Sequence, residues 1–290
     1  MRFVDIGQQL RAYRLESGLR AEEIAARLGV SRAALYRYEK GEVIKLDTIR
    51  RLAELLKISP LSLMGIGVEY FSRAIAFQER LRQVEEQADQ ILLVGGAICY
   101  QTATDAFDGA LAEAWTEVAD ANPDRAAARA TTDQMLGLLL ARKKLHQSRR
   151  STIIGILDEV ALTRLLREGV AAGLAVSDRT RQRCLAAARI EAEAIATMMD
   201  SAPIGLQLGL ASGMELAGGF MVLRGRDRAH VFGAPFPADT PPQGGIGVAS
   251  LTAADEAVVV HQRVAEAAWR DALKGAAAAE RVRALIKAAM

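Results

Sequence analysis

The stretch Gly18–Gly41, GLRAEEIAARLGVSRAALYRYEKG, decides the fold of the first part of this chain. Ile24, Ala25 and Leu28 share one face at i, i+1, i+4 spacing, which predicts a helix over 21–28. Gly29 follows, where a helix ends in left-handed backbone. Ser31 is a residue type that caps a helix N-terminus, so a second helix is expected over 32–40, with Leu35 and Tyr38 inward and Gly41 at its end. Helix, tight turn and helix form the helix-turn-helix unit, whose second helix enters a DNA major groove.

The flanks extend the pattern. Residues 5–17 place Ile6, Leu10 and Tyr13 inward, and residues 46–57 do the same with Leu46, Ile49, Leu52, Ala53 and Leu56. Pro60 opens a short helical segment ending at Met64, at a position where its missing N–H costs nothing. Five helices in the first 64 residues make a compact all-α unit.

In helix lengths, turn glycines and the Tyr38-Glu39-Lys40-Gly41 ending, residues 3–64 resemble the XRE family of phage-repressor-like DNA-binding domains. The resemblance implies that Arg32, Ala33, Tyr36 and Arg37 face base edges. Arginine pairs bidentately with guanine O6 and N7, and alanine touches a thymine methyl. It also implies phosphate contacts from Arg20, Ser31 and Lys40, and an ion pair between Arg14 and Glu39 joining the first helix to the third. Many members start the second helix with Ser-Gln; here Arg20-Ala21 stands in that place, which removes the glutamine contact and weakens the cap. Such domains read two half-sites as symmetric dimers, so the resemblance further implies double-stranded DNA with a palindromic operator as partner, and a homodimer.

Charge agrees in sign. The whole chain carries 37 Lys and Arg against 35 Asp and Glu, a net +2. Residues 1–64 hold 12 against 8, so basic charge is concentrated where phosphates would be neutralised.

At 290 residues the chain suits two domains, and 51 % apolar with 25 % charged content is that of an ordinary globular protein. No apolar run approaches the ~20 residues of a membrane span, and the first residues form no signal-peptide core. Cys99 and Cys184 imply no disulfide framework. A cytoplasmic setting is the expectation.

After the first unit comes VEYFSRAIAFQERLRQVEEQADQIL, whose apolar positions Tyr70, Ala74, Phe77, Leu81, Val84, Ala88 and Ile91 recur in alternating steps of four and three. That is a heptad seam over about three heptads, and it predicts one connecting helix over 66–90 with its charged residues solvated. The seam either pairs with a second copy, centred on Phe77, Leu81 and Val84, or packs on its own C-terminal domain.

From residue 91 the pattern alternates between strand and helix. Residues 91–97 and 151–157 are buried-strand runs, and 204–212, 218–225 and 229–236 form a meander with a further strand at 246–250. Helices are expected over 104–120, 124–147, 159–172, 178–200 and 253–288. The expected architecture is therefore multi-domain. An all-α five-helix helix-turn-helix domain occupies 1–65, and a mixed α/β domain with a small sheet flanked by helices occupies 91–290. Tyr100-Gln101-Thr102, ILDEVALTRLL at 156–166, GGFMVLRG at 218–225 and HQRVAEAAWRDAL at 261–273 are similar to the uncharacterised effector-type domain found downstream of XRE domains in actinobacterial regulators. The proline that usually precedes the Gln-Thr is absent. That resemblance implies sensing or partner binding and nothing finer.

Catalytic constellations are poor. There is no Walker loop, and Gly95-Gly96 is too short to be a phosphate loop. His146, His230 and His261 have no Cys or carboxylate at ligand spacing, so neither metal nor cofactor is expected. Asp158-Glu159 fits a helix start as well as acid–base chemistry. No Gly-x-Ser-x-Gly elbow is present, and Ser201, Ser212 and Ser250 with Lys274 and Lys287 do not suggest a self-cleaving Ser/Lys pair. The reading is a non-enzymatic, dimeric transcription regulator with a small-molecule effector as possible partner. An enzyme, or a pure assembly module, fused to a DNA-binding domain is the alternative. Tyr100, Trp115, Phe220 and Phe232 are the candidate lining of an effector pocket between the sheet and its helices.

Overall fold

The computed structural model describes residues 3–64, 67–214, 216–242 and 244–289. The boundary expected at 65/66 lies outside the described residues. The first part holds α1 (Phe3–Ser17), α2 (Ala21–Leu28), α3 (Arg32–Glu39), α4 (Leu46–Leu56) and α5 (Pro60–Leu63). Their inward residues, among them Leu10, Tyr13, Ile24, Leu28, Leu35, Ile49, Leu52 and Leu63, bury one another in a single cluster. Leu46 is the exception to the inward pattern: it stands at the start of α4 and is exposed.

The connecting segment differs from the expectation of one long helix. It divides into β1 (Val68–Phe71), α6 (Ala74–Glu85) and β2 (Ala88–Val94). Residues 68–71 alternate exposed and buried, a period of two that the four-three spacing of the apolar residues had masked. Phe77, Leu81 and Val84 do share a face of α6, but that face is buried in the chain's own large core with Trp115, Phe107 and Phe232. They are therefore not an exposed dimer seam. The charged side is not solvated either: Gln78, Glu79, Arg80, Gln83 and Glu85 are all buried.

The rest of the chain builds on an eight-stranded mixed sheet, larger than the small sheet expected, in the order β1-β7-β6-β5-β2-β3-β4-β8. Its further members are β3 (Thr152–Asp158), β4 (Leu206–Ala211), β5 (Phe220–Gly225), β6 (Ala229–Gly233), β7 (Ala249–Thr252) and β8 (Leu273–Lys274). β2 runs parallel to β3 and β3 to β4. The crossovers are α7 (Asp105–Asp120) with α8 (Arg125–Arg149), then α9 (Glu159–Glu168) with α10 (Asp178–Ser201). The remaining neighbours pair antiparallel.

Alternate strand residues serve opposite faces. Ile91, Ile153, Leu210, Leu223 and Phe232 face the core built with the crossover helices. Val94, Ile156, Val222 and Val231 face Ala265, Ala268 and Trp269 of α11 (Asp255–Asp271). The helix expected over 253–288 is broken because Leu273 and Lys274 pair with β4 and Gly275 takes φ 58°, after which α12 (Gly275–Ala288) begins. α9 stops at Glu168, short of the expected 172, where Gly169 takes φ 83°. No described helix is long and apolar enough to cross a membrane.

Candidate functional site

α2 ends in Gly29 at φ 71°, and Ser31 caps α3 by accepting the Ala34 N–H at 3.1 Å. With Ala34 and Leu35 pinned in the core, Arg32, Ala33, Tyr36, Arg37 and Lys40 fall on the opposite side of α3, and all five are exposed. The residues expected to meet base edges therefore form one continuous outward stripe, with Ser31 exposed at its start. Arg20 is exposed at the entry to α2. It has no side-chain cap of its own, but Glu23 accepts its backbone N–H at 2.8 Å. That hydrogen bond, followed by one from the Arg20 guanidinium, holds the Glu23 carboxyl below its ordinary range. The weak cap anticipated at Arg20 is thus compensated from three residues on.

The stripe's arginines have protein partners that the sequence did not announce. Arg32 pairs with Glu22 at 2.7 Å and lies over the Tyr36 ring, 5.3 Å from its centroid. Arg37 pairs with Glu42 at 3.0 Å. All four charged groups are more than half exposed, so each pair is worth little and exchanges readily for a phosphate or a base edge.

Arg14 and Glu39 meet as a bidentate pair, at 2.5 and 3.1 Å, and their side chains are only 14 % and 5 % exposed. The two helices come close because Gly7 has no Cβ: one would lie 2.4 Å from the Tyr38 carbonyl oxygen and 2.8 Å from that of Glu39. The recognition-helix candidate α3 is thus fixed to α1 by backbone contact and a fork–fork ion pair.

α1 is also tied to the rest of the chain. Glu16 accepts the Arg73 N–H at 3.0 Å, Arg73 donates to the Leu15 carbonyl at 3.0 Å, and Tyr13 stacks on Phe71. On α6, Glu79 is fully buried and receives Arg11 of α1 at 3.1 Å, together with Arg82 and Gln83 from its own helix. Gln83 also donates to the Gln8 carbonyl at 3.1 Å.

A second feature lies at the carboxyl ends of the parallel strands, the position where open α/β sheets bind ligands. It is a cavity of about 540 Å³ between the loop after β2, α6, α8, α9 and the loop after β6. Of the four aromatics expected to line a pocket, only Tyr100 does so. Trp115 and Phe232 are core, the latter edge-on to Phe77, and Phe220 lies on the other sheet face against His261. Aromatic character does not separate core from cavity, because both are lined by aromatic rings. The polar wall is Gln78, Gln101 and Arg142, joined through Glu85. Arg142 is bidentate to Glu85 at 2.8 Å, and donates to Gln78 at 2.5 Å. No periodicity marks these residues, because burial of a charged group follows from its partner's position in space and not from sequence spacing.

The remaining candidates have structural roles. Asp158 caps α9 by accepting the Val160 N–H, and Glu159 pairs with Arg281. Cys99 and Cys184 are both buried, and burial pushes the Cys99 thiol up to about 12. Among the described residues no cluster of His, Cys, Asp and Glu could hold a metal ion.

Compared with known families, residues 5–62 match the model of a helix-turn-helix domain. No curated protein and no solved structure matches the chain. The match covers most of α1 through most of α5, so the N-terminal part of this chain is a helix-turn-helix domain, the DNA-binding module of transcription regulators.

Proposed function

We propose that this protein is a sequence-specific transcription regulator of XRE type that binds a palindromic operator as a two-fold dimer, and whose C-terminal domain responds to a small molecule without turning it over. The observation that carries the DNA half is the outward stripe Arg32, Ala33, Tyr36, Arg37 and Lys40, held on a helix whose opposite face is fully engaged. Arg32 and Arg37 supply base-edge donors, Ala33 and Tyr36 apolar contact, and Arg20, Ser31 and Lys40 the phosphate contacts that set register.

The cavity supports the responsive half. Gln78 and Leu81 of α6 line it, while Glu79 and Gln83 of the same helix bond to α1. A molecule that binds two placements of α6 differently would bias the placement of α3, and only to the extent of that difference.

With Phe77, Leu81 and Val84 buried, the dimer contact belongs elsewhere. α11 turns Val259, Val260 and Val264 outward, each about half exposed, with Glu256 and Arg263 beside them. Two such helices crossing antiparallel between residues 259 and 260 would set Glu256 of one copy near Arg263 of the other, a self-complementary arrangement.

Sequencing genomic fragments retained by the purified full-length protein tests this reading. The expected result is an inverted repeat with half-site centres one helical turn, about 34–36 Å, apart. Retention without any shared sequence would overturn it.

A further inference from the structure

The cavity has a charge balance that selects its ligand. Arg142 is neutralised by Glu85, and its guanidinium is further occupied by Gln78 and by the Tyr100 ring, 5.7 Å from its centroid. Arg164, at the other end, meets Glu168 at 3.0 Å in an exposed pair. Gln101 is spent on Glu85 and Cys99, and Gln78 on Arg142 and the Phe236 carbonyl. The polar wall is therefore internally satisfied. Asp239 differs. It lines the cavity from the loop after β6, and among the described residues its carboxylate has no ion pair and no side-chain partner. Burial pushes that carboxyl above its ordinary range, against the backbone hydrogen bond and the Arg164 charge. Asp239 is therefore the lining carboxylate without a paired partner among the described residues, in largely apolar surroundings and offset only by the Arg164 charge acting through space, where a carboxylate gains from a cation in direct contact.

We propose that the cavity binds a small apolar cation, an alkyl- or arylalkylammonium, whose ammonium group meets Asp239 and whose apolar body lies among Leu81, Leu93, Leu165, Met221 and Phe236. An anion is disfavoured, because it would face the Asp239 carboxylate and because the buried Arg142 is already engaged by Glu85. A neutral apolar molecule leaves Asp239 unpaired. The volume suits a compact ligand of this kind, and an aromatic wall favours a cation further.

The site also reaches the helix that contacts α1. The loop carrying Asp239 is joined to α6 by the hydrogen bond from Gln78 to the Phe236 carbonyl, 3.2 Å long. The inference thus deepens the proposed small-molecule response and rests on it for biological meaning, while the binding itself is measured without DNA.

The experiment uses one skeleton in three charge states: 2-(2-naphthyl)ethylammonium, the matching alcohol, and 3-(2-naphthyl)propanoate. Each is titrated calorimetrically into DNA-free full-length protein and into Asp239→Asn. The expected order is ammonium over alcohol by at least about tenfold, as a charge-assisted hydrogen bond gives, with no measurable carboxylate binding. Asp239→Asn removes the ammonium's advantage and leaves alcohol affinity unchanged, which also shows that the variant is folded. Equal binding of ammonium and alcohol, preference for the carboxylate, no binding by any of the three, or an ammonium preference that survives in Asp239→Asn would overturn it. Gel shifts on the same preparation report DNA binding separately, so failure of the ligand proposal and failure of the regulator reading are distinguishable.

Discussion

Gln78 and Glu79 are consecutive on α6, yet they face opposite partners. Gln78 lines the cavity and holds both Arg142 and the Phe236 carbonyl, while Glu79 receives Arg11 from the helix-turn-helix domain. One peptide unit thus separates the cavity from the contact that seats the helix-turn-helix domain. Both side chains are buried, so neither can move without its partners.

Removing Glu79's charge should loosen that seat. Glu79→Gln leaves Arg11 and Arg82 short of their shared acceptor; because Arg11 is 43 % exposed and Arg82 keeps Glu86, the cost falls below the about 3–5 kcal/mol of a fully buried pair. Faster amide exchange in α1 and α6, with α4 unaffected, is the expected outcome. Unchanged exchange in α1 would show that the contact is dispensable.

The Arg14–Glu39 pair should contribute more than a surface pair. Its side chains are mostly buried, so Glu39→Gln is expected to exceed the ~0–1 kcal/mol of exposed pairs. Amide exchange across α3 in the full-length protein reads the difference, and about tenfold or more acceleration is predicted.

Gly7→Ala should be worse than its size suggests. The added Cβ meets backbone atoms of residues 38, 39 and 41, all within 2.8 Å, and backbone cannot step aside as a side chain can. Overpacking of this kind costs about 1–3 kcal/mol, and it spreads α1 from α3. Operator affinity and α3 protection should fall together.

Leu81→Glu and Val260→Glu should part company. Leu81 is buried in the large core, so a carboxylate there costs more than the ~2–5 kcal/mol of a Leu-to-Ala cavity. Loss of near-ultraviolet dichroism is expected. Val260 is half exposed, and its substitution should lower dimer content in sedimentation while the dichroism stays native. A Val260→Glu protein that remains dimeric would remove α11 from the proposal.

Alkaline pH should destabilise the protein through Cys99. Its thiol is raised from 9.0 to about 12 by burial. The folded state therefore holds a proton that the unfolded state loses first. The contribution is whole below pH 9 and is lost as pH climbs toward 12. Cys99→Ala should flatten that part of the denaturant-midpoint curve.

The helix-turn-helix unit was legible because local chemistry determines it. A left-handed glycine at 29, a serine cap at 31 and one apolar face per helix are all written within a few residues of their effect. The stripe on α3 followed once Leu35 was known to point inward. The segment 68–94 was not legible in the same way. Tyr70, Ala74, Phe77, Leu81, Val84, Ala88 and Ile91 keep helical spacing across two strands and a helix. Only the antiparallel pairing of β1 with β7, some 180 residues later, fixes Val68–Phe71 as a strand. The cavity escaped for a related reason. Arg142, Gln78 and Asp239 come from three distant segments, and each is an ordinary surface residue type until the fold encloses it.

The claim that α3 reads DNA is tested most directly by titrating full-length protein, Arg37→Ala and Lys40→Ala against the retained operator and a scrambled duplex of equal length at several salt concentrations. Arg37→Ala should lose about 1–3 kcal/mol on the operator and far less on the scrambled duplex, narrowing the specificity ratio. Lys40→Ala should weaken both duplexes alike and lower the salt slope by about one. Equal losses on both duplexes for Arg37→Ala, with the specificity ratio intact, would contradict the account.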